Sequence, residues 1–300
     1  MVRARLLVLC SVVLAACGSS GSSSSGGTTG GVLQVVAAEN FWGSIASQIG
    51  GTHVRVVSII TNPDTDPHDY EPTATDARTL ASARLVVENG VGYDPWVKKF
   101  LAADSGNATL LSVGDVLGLA DVANPHRWYN PADVLTVIGQ LVRDFQKLDP
   151  ADRAYFANRQ VQFNSTALAT YRTTLAAIRT KYAGTKVGAS ESIFAMLAPA
   201  LGLDLITPPS FLKAISEGSD VSAGDKQTVD DQIKRHEIKI YVYNSQNVTP
   251  DVQAQLTEVK RLHIPYATIT ETLVPADATY QEWQTRQLLG IEAALRAAGT

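Results

Sequence analysis

Asp66-Pro67-His68-Asp69-Tyr70-Glu71-Pro72 lies between an apolar run, Val54 to Ile60, and a short helical stretch, Thr75 to Ser82. The run is rich in β-branched residues and reads as a strand. It ends in turn chemistry at Thr61-Asn62-Pro63-Asp64. Pro67 and Pro72 fix φ at two points and push Asp66 and Glu71 toward extended geometry. The loop is therefore a stiff strand-to-helix connection carrying one of only five histidines in 300 residues. A rigid imidazole at a strand end suits metal ligation, where geometry is set in advance. Taken by itself, the loop reads first as a surface-turn histidine, and the rest of the chain decides between the two readings.

The rhythm around this loop sets the fold class. Upstream, Val32 to Ala37 reads as a strand, and Phe41 to Ile49 as a helix closed by Gly50-Gly51. Downstream, Leu85 to Val87 and Ala108 to Val113 read as strands, with a helix at Trp96 to Leu101 between them. The alternation resumes later, with strands at Lys186–Ala189, Leu203–Ile206, Ile238–Tyr243 and Tyr266–Ile269. Helices are expected at Ile193–Leu201, within Val221–His236, at Pro250–His263 and at Ala278–Ala298. Strands alternating with helices predict α/β architecture with mostly parallel sheets. Two such runs predict two similar lobes.

Between the lobes, Ala132 to Leu148 reads as a helix opened by Pro131. Ala151 to Tyr182 then has no proline or glycine, and apolar residues recur at helical spacing. One long rigid helix joining the lobes is expected; two helices with a break near Asn164-Ser165 is the competing reading. The expected boundaries are 32–148 for the first lobe, 149–183 for the linking helix and 184–300 for the second lobe.

The amino terminus reads as an export segment. Arg3 and Arg5 precede an apolar run, Leu6 to Val13, too short to span a bilayer. Leu14-Ala15-Ala16-Cys17 resembles a bacterial lipobox, with Cys17 lipidated after removal of residues 1–17's leader portion. Residues 18–31 are a Gly/Ser/Thr tract, expected to be a flexible tether. Cys10, the only other cysteine, lies in the removed segment, so no disulfide is expected. Without Arg3 and Arg5, 23 of the 25 basic residues remain against 29 acidic ones, a formal charge of −6. That balance argues against a nucleic-acid partner.

Four residues at strand ends carry the chemistry: His68, His126 in Asn124-Pro125-His126-Arg127-Trp128, Glu191 in Ala189-Ser190-Glu191-Ser192, and Glu271 in Thr270-Glu271-Thr272-Leu273. In open α/β sheets, ligands bind outside the carboxyl ends of strands. Two candidates come from each half, which predicts a metal cleft between the lobes. Two imidazoles and two carboxylates balance a divalent charge, and nitrogen with hard oxygen and no thiolate fits Mn²⁺, Zn²⁺ or Fe²⁺. Asp66, Asp69, Tyr70 and Trp128 are the candidates for supporting the ligands. His53, His236 and His263 sit in a turn or at helix ends and are left out.

Asp66-Pro67-His68-Asp69-Tyr70-Glu71-Pro72-Thr73 and Asn124-Pro125-His126-Arg127-Trp128 resemble the ligand loops of a known family. These are the TroA-like solute receptors, metal-binding lipoproteins of bacterial zinc and manganese ABC importers. Glu191-Ser192-Ile193-Phe194 and Thr270-Glu271-Thr272-Leu273 are similar to its third and fourth ligand stretches. Glu191 stands where that family often has His, and Glu271 where it usually has Asp. The resemblance spans Val32 to the carboxyl terminus and implies two α/β lobes joined by a long helix. It implies a monomeric, non-enzymatic receptor, anchored through Cys17 on the outer face of the cytoplasmic membrane, that hands its metal to an ABC permease. Two histidines with two carboxylates resemble the manganese or iron members, so Mn²⁺ is favoured, then Zn²⁺, with Fe²⁺ behind both. A secreted zinc metallohydrolase, a surface adhesin on the same fold and a receptor for chelated metal are the alternatives. No H-E-x-x-H or nucleophile elbow supports hydrolysis.

Overall fold

The computed structural model describes residues 31–64, 66–103 and 106–300. The expected leader, Cys17 and nearly all of the 18–31 tether lie outside them.

Among the described residues, eight strands form two sheets. β1 (Leu33–Glu39), β2 (Val54–Ile60), β3 (Leu85–Glu88) and β4 (Thr109–Ser112) make the first, in the order β2-β1-β3-β4. β5 (Lys186–Ala189), β6 (Asp204–Leu205), β7 (Ile240–Asn244) and β8 (Tyr266–Ile269) make the second, in the order β6-β5-β7-β8. Every pairing is parallel, with Val35 opposite Val56 and Leu85, and Val187 opposite Leu205 and Ile240. The two sheets thus share one topology. β3 and β5 are almost wholly buried, as strands covered by helices on both faces must be.

In each sheet the chain steps one way from its first strand and then back past it. The crevice at this reversal lies at the carboxyl ends of β1 and β3, and of β5 and β7. The ligand-bearing loops leave the sheets at these carboxyl ends.

The connection between the lobes is helical throughout Arg153–Tyr182, but it is not uniform. An α-helix, Arg153–Gln162, passes into a π turn at Phe163–Ala167 and then into a second α-helix, Ala169–Tyr182. Leu168 N–H donates to the Phe163 carbonyl over five residues, at 2.9 Å. The Ser165 hydroxyl donates to the Val161 carbonyl at 2.7 Å. Such back-bonding competes with the regular ladder and bends helices. The extra residue keeps Phe163 and Leu168, five apart, both in the core. The expected long helical connection is present, with a π turn that takes in the Asn164-Ser165 pair where the competing reading put a break.

Two helices escaped the sequence reading: Val113–Val116 and Pro209–Ser216. The first is a single turn. The second begins on Pro208-Pro209, which reads as a loop in isolation but places Pro209 at the first helical position, where its missing N–H costs nothing.

The last helix, Tyr280–Ala297, crosses to the first lobe and ties the halves together. Its Tyr280 hydroxyl donates to the Trp128 carbonyl at 2.7 Å, and its Tyr280 N–H to Ser44 Oγ at 2.9 Å. Trp128 stacks on Phe41 with ring centroids 4.0 Å apart. One buried apolar cluster runs from Leu33 through Phe163 to Leu295. A shared core of this size resists large hinge motion.

Candidate metal site

Each ligand loop is shaped by local capping. Asp66 caps the 3₁₀ turn Pro67–Asp69 by accepting from His68 N–H at 2.9 Å. That fixes the backbone from which the imidazole projects. Asn124 does the same for His126: its Oδ1 accepts from His126 N–H at 3.1 Å and lies 2.8 Å from Nδ1. An amide oxygen can only accept, so Nδ1 carries the proton and Nε2 presents its lone pair. Asn124 is itself held, through its Nδ2, by the Ser192 carbonyl of the second lobe at 2.7 Å.

Three donor atoms converge. His68 Nε2 and His126 Nε2 are 3.3 Å apart, and Glu271 Oε2 stands 3.6 Å from the first and 3.7 Å from the second. Ligands at about 2.0–2.2 Å around a four-coordinate ion stand roughly 3.3–3.6 Å from one another. The triangle therefore fits a divalent transition metal without rearrangement. His126 and Glu271 are fully buried, and the His68 side chain is 20% exposed. A cavity of about 300 Å³ opens against His68, lined also by Tyr93, Asn124, Ser192 and Leu212.

Glu191, the fourth expected ligand, is buried at the carboxyl end of β5 but stands outside this triangle. Its Oε1 accepts from Asn244 Nδ2 at 2.8 Å, and the same amide donates to Glu271 Oε1 at 2.9 Å. The sequence reading brought four ligands together; the structure brings three, with the fourth coupled to them through one side chain.

The electrostatics follow from burial and neighbours. Burial would raise the Glu271 carboxyl, but the adjacent His126 and His68 and the Tyr93 hydroxyl hold it down at about 2. Burial, then the Glu271 charge, push Glu191 well above the usual carboxylate range. Burial also lowers His126, which favours the neutral imidazole a metal requires.

Of the expected supporting residues, Asp66 caps the His68 turn and Trp128 packs edge-on against the His126 ring at 5.2 Å. Tyr70 turns away: its hydroxyl donates to Asp76 Oδ2 at 2.9 Å, within the cap of helix Ala74–Ala81. The Asp69 side chain lies outside the described residues. Three supporting residues escaped the sequence reading. Tyr93 donates to Glu271 Oε2 at 2.6 Å and packs edge-on against His68 at 4.7 Å. Asn124 sets the His126 tautomer, and Asn244 joins the two carboxylates. Asn244 closes an apolar strand, the same position rule that singled out Glu191 and Glu271; its amide lacked the charge that drew attention to them.

Behind Tyr93, the Asp94 carboxylate accepts from Asn89 N–H and Gly90 N–H, both at 2.7 Å. This shapes the loop that presents Tyr93. Glu39 and Glu88, at the ends of β1 and β3, are buried beside it. Burial, then the charge of Asp94, raise Glu88 to about 7 and Glu39 well above its ordinary value. Lys98 Nζ approaches Glu88 Oε1 at 3.2 Å.

The histidines left out of the site have structural roles. His53 Nδ1 pairs with Asp152 Oδ2 at 2.8 Å, and the ring lies on Tyr155 with centroids 4.1 Å apart. His53 precedes β2 while His68 follows it, so this pair sits at the far end of the sheet. His236 and His263 each end a helix in the left-handed conformation, with φ of 55° and 56°.

Two parallel α/β lobes thus bring together a His₂-carboxylate cluster of the kind that holds a divalent metal. Residues 35–294 match the family described as "Zinc-uptake complex component A periplasmic". That match takes in most of the chain, and the protein belongs to this family. Among curated relatives, the iron-binding protein YfeA of Yersinia pestis is 30% identical over 136 residues, 43% of each chain. The manganese-binding lipoprotein MntA of Halalkalibacterium halodurans is 25% identical over 134 residues, 43% of this chain and 44% of its own. The chain thus spans less than half the length of these relatives. Solved structures align more completely. Mn-bound S38A periplasmic metal-binding protein from Candidatus Liberibacter asiaticus has a TM-score of 0.74 at 19% identity, covering 88% of this chain and 99% of its own. FpvC of Pseudomonas aeruginosa, solved with Ni²⁺, has a TM-score of 0.72 at 22% identity, covering 89% and 98%. At these identities the likeness is one of fold.

Proposed function

We propose that the protein is an extracytoplasmic receptor that captures a divalent transition metal between its lobes and delivers it to an ABC permease. The observation that carries this reading is the triangle of His68 Nε2, His126 Nε2 and Glu271 Oε2, with edges of 3.3, 3.6 and 3.7 Å. Mn²⁺ is the favoured cargo, since hard oxygen joins the two imidazoles and relatives such as MntA carry manganese in their names. Zn²⁺ comes next, because it binds such donors more tightly than Mn²⁺ wherever both are available. Fe²⁺ follows.

The site is designed for holding rather than for chemistry, and the protein acts as a receptor and not an enzyme. The ligands come from both lobes, so docking on a permease can release the ion by separating Glu271 from His68 and His126. The shared core and the helical connection limit this to a small lobe shift. The proposed organisation is a leader over residues 1–17, lipidation at Cys17, a tether over 18–31, lobes at 32–148 and 184–300, and the connection at 149–183. This arrangement keeps a monomer on the outer face of the cytoplasmic membrane beside its permease.

Metal accumulation in cells lacking this protein tests the reading. Restored Mn²⁺ or Zn²⁺ uptake with the wild-type chain, and none with His126→Ala, is expected. Uptake restored equally by both chains would overturn it.

A further inference from the structure

Tyr129 lies three residues beyond His126 and closes the 3₁₀ turn Arg127–Tyr129 that His126 opens. Its N–H donates to the His126 carbonyl at 3.1 Å, so the two residues share one small rigid turn. The ring is fully buried and packs edge-on against Trp283 at 5.7 Å. Its hydroxyl reaches into the second lobe. The Thr270 carbonyl oxygen and Gln287 Oε1 each lie 2.7 Å from it. Thr270 precedes Glu271 in the chain, and Gln287 comes from the last helix.

The donor and acceptor roles are fixed at this contact. Thr270 N–H donates to Gln287 Oε1 at 2.7 Å, so that atom is the amide oxygen. Both neighbours of the phenol are therefore acceptors, and its one hydrogen is shared between them. Burial raises the phenol well above its ordinary value, which keeps that hydrogen in place. Thr270 is bonded at its side chain as well: Oγ1 accepts from Trp283 Nε1 at 2.8 Å and donates to the Thr272 carbonyl at 2.9 Å. The segment that carries Glu271 thus has little freedom of its own, and Tyr129 ties it to the turn that carries His126.

We propose that Tyr129 is a positioning residue that sets the spacing of His126 and Glu271 across the lobes, so that the two ligands stand at binding distance before an ion arrives. This rests on the receptor reading above and goes beyond it. The linkage from the His126 turn through the Tyr129 hydroxyl to Thr270 is made of protein groups alone, and it spans the same gap as the 3.7 Å edge between His126 Nε2 and Glu271 Oε2. Tyr93 acts on the ligand oxygen itself, whereas Tyr129 acts on the backbone behind it. A receptor whose binding arrangement is only partly populated loses affinity by that fraction, so a linkage of this kind shows directly in the dissociation constant. It also bears on release: Glu271 moves away from His126 only after the Tyr129 hydroxyl has parted from Thr270 and Gln287.

Zn²⁺ titrations of the chelator-stripped full chain test this, with wild type, Tyr129→Phe and Tyr241→Phe compared. Each variant keeps a buried ring and loses one hydroxyl. Tyr241 is equally buried, but it donates to Gln255 Oε1 at 2.5 Å within the second lobe, so its variant reports a general loss of stability. Tyr129→Phe is expected to weaken Zn²⁺ binding about tenfold, the scale of one buried hydrogen bond. X-ray absorption of its Zn²⁺-loaded form should show the same donors as wild type, since the ligands themselves are untouched. Tyr241→Phe should lower the melting temperature and leave the affinity unchanged. Equal affinity in wild type and Tyr129→Phe, or the same loss in both variants, would overturn the inference while leaving the receptor reading intact. A wild-type chain that binds no Zn²⁺ would overturn both. Should Tyr129→Phe fail to fold, amide exchange at Thr270 in the wild-type chain decides the matter. Slow exchange, the same with and without Zn²⁺, is expected. Fast exchange that slows at least about tenfold on adding Zn²⁺ would show that the ion, and not Tyr129, sets the spacing.

Discussion

The Tyr93 hydroxyl donates to Glu271 Oε2 across the cleft at 2.6 Å, and that oxygen is the one facing both histidines. Tyr93 comes from the first lobe and Glu271 from the second. The bond therefore aims a ligand and joins the lobes at once. Burial and the neighbouring Glu271 charge keep the phenol firmly protonated, so it remains a donor. Tyr93→Phe is expected to weaken metal binding roughly 10- to 100-fold, the usual cost of losing a partner behind a ligand. Direct titration with Zn²⁺ measures this, and an unchanged affinity would remove Tyr93 from the account.

Asn124 fixes the proton on His126 Nδ1 and leaves Nε2 free. Asn124→Ala removes that acceptor, although Ser192 Oγ stays 3.3 Å away. A fall of about tenfold in affinity is expected. Nitrogen chemical shifts of His126 should report a larger Nε2-protonated fraction in the variant. An unaltered tautomer would mean that Ser192 suffices.

The Gln246 side-chain amide links backbone groups of the two lobes. Its Oε1 accepts from Glu271 N–H and from Thr272 N–H, the latter at 3.0 Å, while its Nε2 donates to the Pro63 carbonyl ahead of the His68 loop. Gln246→Ala should speed amide exchange at Glu271 and Thr272 by at least about tenfold, since both lose their acceptor. Exchange unchanged at both amides would show that the loop is held by other contacts.

Stability should depend on pH through the acids behind Tyr93. Glu88 is raised from an ordinary 4.5 to about 7, so the folded protein binds a proton that the unfolded chain has given up. Its contribution is fully present below 4.5 and is lost as pH rises to about 7. Glu39 and Asp94, also raised, act in the same sense. The low value of Glu271 acts in the opposite sense between about 2 and 4.5, and His126, lowered by burial, does so at pH below its ordinary 6.5. Melting temperature without added metal should therefore fall between about pH 6.5 and pH 8, where His126 no longer opposes the raised acids. Glu88→Gln, which imitates the protonated acid, should flatten that fall and gain roughly 2–4 °C at pH 8. A variant that melts lower than wild type at pH 8 would show that the Lys98 ion pair outweighs burial.

Much of the fold was readable because β-branched apolar runs and helical spacing are local signals. β2, β5 and β8 fall where Val54–Ile60, Lys186–Ala189 and Tyr266–Ile269 predict them. The π turn at Phe163–Ala167 was not, because it depends on which residues the shared core pulls inward. His68, His126 and Glu271 stood out as chemically distinctive side chains at strand ends, and they meet. The offset of Glu191 could not be read in that way. Strand order and side-chain reach decide it, and a hydrogen bond from Asn244, 53 positions along the chain, holds its Oε1. Tyr70 illustrates the reverse error: proximity to His68 in sequence suggested support, but the cap of the next helix claims its hydroxyl.

Metal titration of the wild-type chain beside His126→Ala tests the central claim most directly. His126 is buried, donates one nitrogen to the triangle and has its other nitrogen held by Asn124. One equivalent of Mn²⁺ or Zn²⁺ bound by wild type, and a loss of at least about tenfold in affinity in the variant, is predicted. Equal affinity and stoichiometry in the two proteins would contradict an interlobe metal site built on His68, His126 and Glu271.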